Sequence, residues 1–506
     1  MKRYLLDVVL LVAGMILPFA FAPFYLSPIA FLSPMILLYI WLDSSPREAF
    51  RRGFVFGLGF FGVGISWVYI SIHVFGQAPI PLAVFITGIF VAYLSLFFAF
   101  QGYCLNKFHP QNDYFKILCL FPCSWVFFEL LRTWLFTGFP WLLLGYSQTN
   151  TLLRGWATLL SVYGVSLLIT FGAGLIVYLF KNKAIKVRVS GVVLLCGLFL
   201  SGGFLATIHW TDPAGKPLTV TLIQGNVDQD LKWIPTQLAR TLAIYNKYTE
   251  RHWSSDIIIW PEAAITLPLY KMTEYLEQLG EVAKTHNTTL ITGIPIVEPD
   301  KAFNGMIAIG NGTGIYHKRH LVPFGEYTPL KPFYGFMLEA FDIPMSNFIP
   351  GEKEQRPLIA NGIAIAPYIC YEVAYPLEFL TFLPQAQLLL TITDDSWFGR
   401  SNASEQHLQM AQMRAIETGR YLLFSSNTGI TGIINAKGEV IKTLPAFKEG
   451  EISAQVQAMR GETPWMIWKL YPLIAVMGIT FLLGVWQYLR RIAPSGYHPP
   501  LSSREK

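Results

Sequence analysis

Charge is scarce in this 506-residue chain: Asp, Glu, Lys and Arg together make up 14%, against about 25% in ordinary globular proteins. Hydrophobic residues reach 53%, and apolar stretches near or above about 18 residues recur, long enough to cross a hydrocarbon core. They cluster at the two ends of the chain, which argues against a large soluble α/β enzyme with buried core helices. Cysteine is equally sparse. Of five cysteines, Cys104, Cys119, Cys123 and Cys196 fall in or beside apolar runs and only Cys370 lies elsewhere, so no disulfide framework is encoded. There is no zinc-type Cys/His spacing and no Gly-rich phosphate loop. The basic residues behind the net charge of +6 are scattered or flank apolar runs; this excludes a nucleic-acid footprint and fits topology signals. No internal repeat or low-complexity linker is present.

What the chain does have is membrane helices. Residues 1–210 contain seven apolar segments, at roughly 4–22, 27–42, 54–72, 79–103, 115–136, 158–180 and 189–208, and an eighth at 467–489 falls within 466–491. The opening, MKRYLLDVVLLVAGMILPFAFAPF, has the charged start and apolar run of a signal peptide. It lacks a small-residue cleavage site and is read as a retained first helix. Pro18, Pro23, Pro28 and Pro34 interrupt the first two segments, which are expected as a bent pair or as two spans with uncertain ends. The tail, 492–506, reads as disordered.

Lys/Arg bias gives an orientation. Lys2 and Arg3, Arg47, Arg51 and Arg52, Lys107 and Lys116, Lys181, Lys183, Lys186 and Arg188, and Arg490 and Arg491 all fall on one side. The loops near 23–27 and 73–78 have neither residue, and 137–157 has only Arg154. The N-terminus, the even-numbered loops and the tail are therefore expected to be cytoplasmic, and 211–465 is expected to lie outside the cytoplasm.

Residues 211–465 have a different texture. Strand-like runs at Leu218–Gln224, Asp256–Trp260, Thr289–Ile296, Met306–Ile309, Ile363–Ile369 and Leu388–Thr393 alternate with helical stretches at Pro235–His252, Leu267–His286 and Glu405–Gly419. The pattern predicts a layered α/β domain large enough for its own core.

Cys370 ends the apolar run GIAIAPYIC and is followed by Tyr371 and Glu372. A lone thiol is more often an inert buried residue, but the end of a strand is where α/β folds open their sites. A nucleophilic thiol also needs a base or a cation beside it. Glu262 ends another such run, IIIWPE; it is either a strand-end surface residue or a base whose pKa burial has raised. Lys318, in GIYHKRHLVPFGEY, is either solvated or a fixed cation for an oxyanion. Glu326 follows after Pro323 and Gly325 and is placed to turn back toward the same site.

The strings WPE, HKRHLVPFGEY and CYE, in that order, resemble the nitrilase (carbon–nitrogen hydrolase) superfamily, as do LLLTITDDSWFG and the segment from EQHLQ to GEV. That resemblance implies an αββα sandwich with Glu262 as base, Lys318 as oxyanion stabiliser and Cys370 as nucleophile. With FAFAPF, TGFPW at 137–141, QGNVDQDLKW at 224–233 and both helix sets, nearly the whole chain resembles the apolipoprotein N-acyltransferase family of the bacterial inner membrane. The implied fold is thus about eight membrane helices plus a periplasmic nitrilase-like sandwich.

The implied reaction moves the sn-1 acyl chain of a phospholipid, through a Cys thioester, to the α-amino group of a diacylglyceryl-cysteine lipoprotein. A monomer is implied, and no metal or organic cofactor is needed. Glu326, Glu372 and Tyr371 are taken as supporting residues. Trp233, Tyr371 and Trp397 are read as exposed aromatics that line an acyl path or else pack in the core. The aromatic segment after Lys318, with Phe336 and Phe341, is expected to form a lid at the membrane surface. Two rival readings stand beside this one. A membrane-tethered amidase or nitrilase would share the triad. A transporter would show intramembrane ionisable residues, for which Glu129 and Arg132 are the candidates, expected to pair near a helix end.

Overall fold

The computed structural model describes residues 2–108, 110, 112–327 and 347–492. Phe336, Phe341 and most of the expected lid lie outside the described residues, as does the tail beyond 492.

Among the described residues, five helices are long and apolar enough to cross a membrane: Ile80–Lys107, Asp113–Thr137, Leu152–Lys181, Ile185–Leu205 and Tyr471–Arg491. A sixth span is a pair, Pro46–Gly64 and Val68–Phe75, bent by 62°. It starts eight residues before the expected 54, because Ser45 caps it and Glu48 completes a capping box. The first two segments form shorter apolar helices, Tyr4–Ala20 and Ile29–Leu42. Pro18 lies in the tight 3₁₀ turn Leu17–Ala20 that ends the first of them. The first and third helices cross at glycines. A Cβ on Gly14 would lie 2.1 Å from the Phe56 carbonyl oxygen, and one on Gly59 would lie 2.3 Å from that of Leu11. Only small residues permit such an approach.

The α/β domain holds two large sheets. One runs in the order 450–456, 218–224, 257–259, 289–298, 301–310, 315–317; the other 440–444, 431–434, 422–426, 388–393, 363–369, 358–360, 312–313. Alternation along the strands sets the layers. Val220, Leu222, Ile257, Ile259 and Ile291 share a core with Ile365, Leu390 and Phe424 of the second sheet. Their neighbours Ile223, Ile258 and Leu290 pack with Tyr245, Tyr248 and Leu276 of helices Leu238–Glu250 and Thr273–Thr285. Helix Ala403–Thr418 covers the second sheet. The result is the expected four-layer αββα sandwich.

That last helix is buried along nearly its whole length, because membrane helices cover its outer side. Glu417 accepts hydrogen bonds from the Ser161 hydroxyl (2.6 Å) and the Val162 amide (2.8 Å) and pairs with Arg414 at 3.1 Å. Gln409 accepts from the Ala22 amide at 3.0 Å, and Gln406 from the Trp141 indole at 2.7 Å. Glu129 and Arg132 organise the loop between the membrane helices and the sandwich. The Glu129 carboxylate accepts from the Leu144 amide (2.7 Å) and the Trp125 indole (3.1 Å). Arg132 donates to the carbonyls of Phe139 (2.9 Å) and Trp141 (2.6 Å). These side-chain bonds go to the loop and to Trp125, where the sequence suggested a helix-end pair.

Candidate active site

Glu262 stands just beyond the strand Ile257–Ile259, which pairs in parallel with 218–224 and 289–298. Ala263 turns the chain there with φ +45, a left-handed conformation that costs a non-glycine residue free energy. Gly293 makes room for the turn: a Cβ on it would lie 2.6 Å from the Ala263 nitrogen and 2.8 Å from the Glu262 Cα. The buried carboxylate accepts from the Asn304 amide at 2.7 Å and from the Asp394 backbone N–H at 2.9 Å, and faces the Lys318 ammonium at 3.4 Å. Burial pushes its pKa up and the Glu326 charge adds to this, while Lys318 opposes it.

Lys318 follows the edge strand Ile315–His317 and is anchored at both ends of its peptide unit. Its N–H donates to the Asn304 carbonyl (2.9 Å), and its carbonyl accepts from Gly351 (2.8 Å). Its ammonium donates to Glu326 at 2.9 Å. Glu326 also accepts from Asn304 at 2.7 Å and from the Val322 N–H at 2.8 Å. Burial opposes the charge on Lys318, but the two carboxylates outweigh it and hold the pKa above the usual lysine value. The residue is a permanent cation.

Cys370 closes the strand Ile363–Ile369 and has φ +54. Glu372 holds this turn against the lysine segment. One carboxylate oxygen accepts from the Ile369 amide (2.7 Å). The other accepts from the Tyr316 hydroxyl (2.7 Å) and the amides of Arg319 (2.8 Å) and His320 (3.1 Å). Beneath the turn, the His407 ring lies 3.2 Å from the Cys370 carbonyl oxygen and 3.0 Å from the Asp395 carboxylate. Burial pushes the thiol pKa well above its ordinary value and the Glu262 charge adds to this; Lys318 and the Thr393 hydroxyl act the other way. Glu262 and Lys318 are thus the charged groups that act on this thiol most strongly, in opposite directions. A thiol, a carboxylate of raised pKa and an ammonium brought into one site suit nucleophilic acyl transfer.

Two family models match the chain: the apolipoprotein N-acyltransferase N-terminal domain over residues 13–175 and carbon-nitrogen hydrolase over 219–464. The apolipoprotein N-acyltransferase of Coxiella burnetii is 47% identical over 94% of this chain and 99% of its own length. The chain belongs to the apolipoprotein N-acyltransferase family. The relative from Methylococcus capsulatus is 41% identical over 93% of this chain and 95% of its own. Among solved structures, an amidase from Nesterenkonia sp. covers 52% of this chain and 97% of its own at 15% identity, with a TM-score of 0.38.

The structure distributes the other expected site residues of this N-acyltransferase family member unevenly. Tyr371, read from sequence as exposed, is 8% exposed; its hydroxyl donates to the Gly138 carbonyl at 3.2 Å in the TGFPW loop. It is buried because that loop packs on the nucleophile turn. Trp397 is partly buried against Phe75 (ring centroids 5.5 Å apart), and its carbonyl accepts from the Ser71 hydroxyl at 2.7 Å. Trp233 is 48% exposed. Sequence reasoning singled out none of Asn304, Lys232 and His407, and took Asp394 and Asp395 only as part of the DDSWFG turn expected to line the pocket. The two aspartates had a signal, the polar DDS turn straight after an apolar strand. Asn304 and Lys232 had none, since only the tertiary fold brings them to Glu262.

Proposed function

We propose that this N-acyltransferase moves an acyl chain from a phospholipid to the α-amino group of a diacylglyceryl-cysteine lipoprotein through a thioester on Cys370. The carrying observation is the convergence of Glu262, Lys318, Glu326 and the Cys370 turn in one buried site roofed by a membrane-domain loop. Glu262 takes the thiol proton as sulfur attacks the ester carbonyl. Lys318 faces the oxyanion. The tetrahedral adduct collapses, the C–O bond breaks, and the departing lysophospholipid alkoxide receives the proton from Glu262. The acceptor amine then attacks the thioester, giving up a proton through Glu262 as the thiolate leaves and is reprotonated. Each bond broken is matched by one formed, and the thiol returns.

The Lys/Arg pattern supports an inner-membrane enzyme with its catalytic domain, 211–465, on the periplasmic face. The membrane domain of residues 1–210, the final span in 466–491 and a cytoplasmic tail, 492–506, belong to the same reading, as does a monomer. The relatives are named as N-acyltransferases, so no observation favours the amidase alternative.

The test is incubation with labelled phospholipid and intact-mass measurement. Wild type gains one acyl group and releases lysolipid before acceptor is added, and double-reciprocal plots are parallel. Cys370→Ala and Cys370→Ser gain none, because a hydroxyl is far less acidic than a thiol. A normal adduct on either variant would sink the proposal.

A further inference from the structure

Lys232 ends the short helix Gln229–Lys232, immediately before the half-exposed Trp233. A lysine side chain is seldom fully buried unless paired, yet this residue is 1% exposed. Its ammonium donates to the main-chain carbonyl of Glu262 at 2.9 Å and to the Asp394 carboxylate at 2.5 Å. Asp394 in turn donates its backbone N–H to the Glu262 carboxylate at 2.9 Å. One ammonium thus fixes both ends of Glu262: the carbonyl directly, and the carboxylate through Asp394. The anchored carbonyl belongs to the strained turn at Ala263, which would otherwise have freedom to relax.

The second consequence is electrostatic. The groups facing the Glu262 carboxylate are Lys318, Glu326, the Cys370 thiol, the neutral Asn304 amide and Asp394. The Lys232 ammonium offsets the charge of Asp394. Without it, an uncompensated carboxylate would stand beside the base.

We propose that Lys232 is a positioning residue for the base Glu262, holding its backbone turn and neutralising Asp394; this rests on the reading of Glu262 as the base. It also joins the Trp233 segment to the base. The exposed ring is next in sequence to the lysine that grips the Glu262 carbonyl.

The experiment measures single-turnover acylation by phospholipid against pH, with melting temperature, for Lys232→Met, the double variant Lys232→Met/Asp394→Asn, and Glu262→Gln. Lys232→Met is expected to acylate about 10- to 100-fold more slowly, the scale of a misplaced catalytic group, with its acid limb moved to higher pH by the bare Asp394 charge. The double variant removes both charges; its limb is expected to return toward wild type while the rate stays low. A wild-type rate and limb in Lys232→Met overturn the inference. So does a slower rate with an unmoved limb, which would show a merely structural role. Should Lys232→Met fail to fold, a wild-type rate in the double variant overturns it equally. Normal acylation by Glu262→Gln would instead remove the reading of the base itself, whatever the Lys232 variants do.

Discussion

The Lys318 ammonium lies 3.4 Å from the Glu262 carboxylate, farther than the 2.9 Å to Glu326. The cation is thus shared between two carboxylates, with its shorter contact to Glu326, and it opposes the rise in pKa that burial imposes on Glu262.

That relationship fixes a pH dependence. A base works when deprotonated, so acylation is expected to rise with pH through the pKa of Glu262, at a midpoint above the ordinary glutamate value of about 4.3. The stability sign is opposite. A pKa raised by folding contributes stability below the unfolded value, and this is lost as pH rises through the folded one. Burial thus disfavours ionised Glu262, while its contact with Lys318 acts the other way. Glu262→Gln should melt no lower than wild type at pH 7 while acylating about 100-fold or more slowly; calorimetry and intact mass on the same sample check both.

Glu326→Gln leaves an acceptor for the Lys318 ammonium but removes its carboxylate charge, one of the charges that raise the Glu262 pKa. Acylation is expected to fall about 10- to 100-fold, with the acid limb moving to lower pH. A limb that moved upward would show that Glu326 does not act on the base.

Gly293→Ala places a methyl against backbone atoms of the Glu262 turn at 2.6–2.8 Å, so the turn must shift. Overpacking of this kind costs about 1–3 kcal/mol, and displacing the base by about 1 Å costs about 100-fold in rate. A variant acylating within a few-fold of wild type would show that the turn adapts freely.

Glu417→Ala breaks the joint between the α/β domain and the membrane helices, leaving Arg414 without its carboxylate and the Ser161 and Val162 donors without their acceptor. Losing one partner of a buried pair costs about 3–5 kcal/mol. Thermal unfolding in detergent measures the loss.

Much of this was legible in the chain. Leu218–Gln224, Ile363–Ile369 and Leu388–Thr393 are strands at the expected limits, since alternating or continuous apolar runs bounded by turn residues specify them locally. Glu262 and Cys370 stood out as candidates because each ends such a run, and Lys318 because of the string HKRHLVPFGEY around it. Lys301–Gly310 is longer than the expected Met306–Ile309, because its outer half is shaped by ten-residue pairing with 289–298 rather than by its own pattern. Asn304 was invisible for the same reason: polar and in mid-strand, it has meaning only opposite Glu262. The short first helices and the 62° break were blurred because apolar composition reports membrane depth and says little about where a helix bends.

Helix Ala403–Thr418 has the second sheet on one side and membrane helices on the other. The α/β domain and the membrane helices accordingly share buried hydrogen bonds at this helix. Tyr371, next to Cys370, donates across to the Gly138 carbonyl of the membrane-side loop at 3.2 Å. A detergent that loosens the bundle is therefore expected to disturb the Cys370 turn through this joint without touching it.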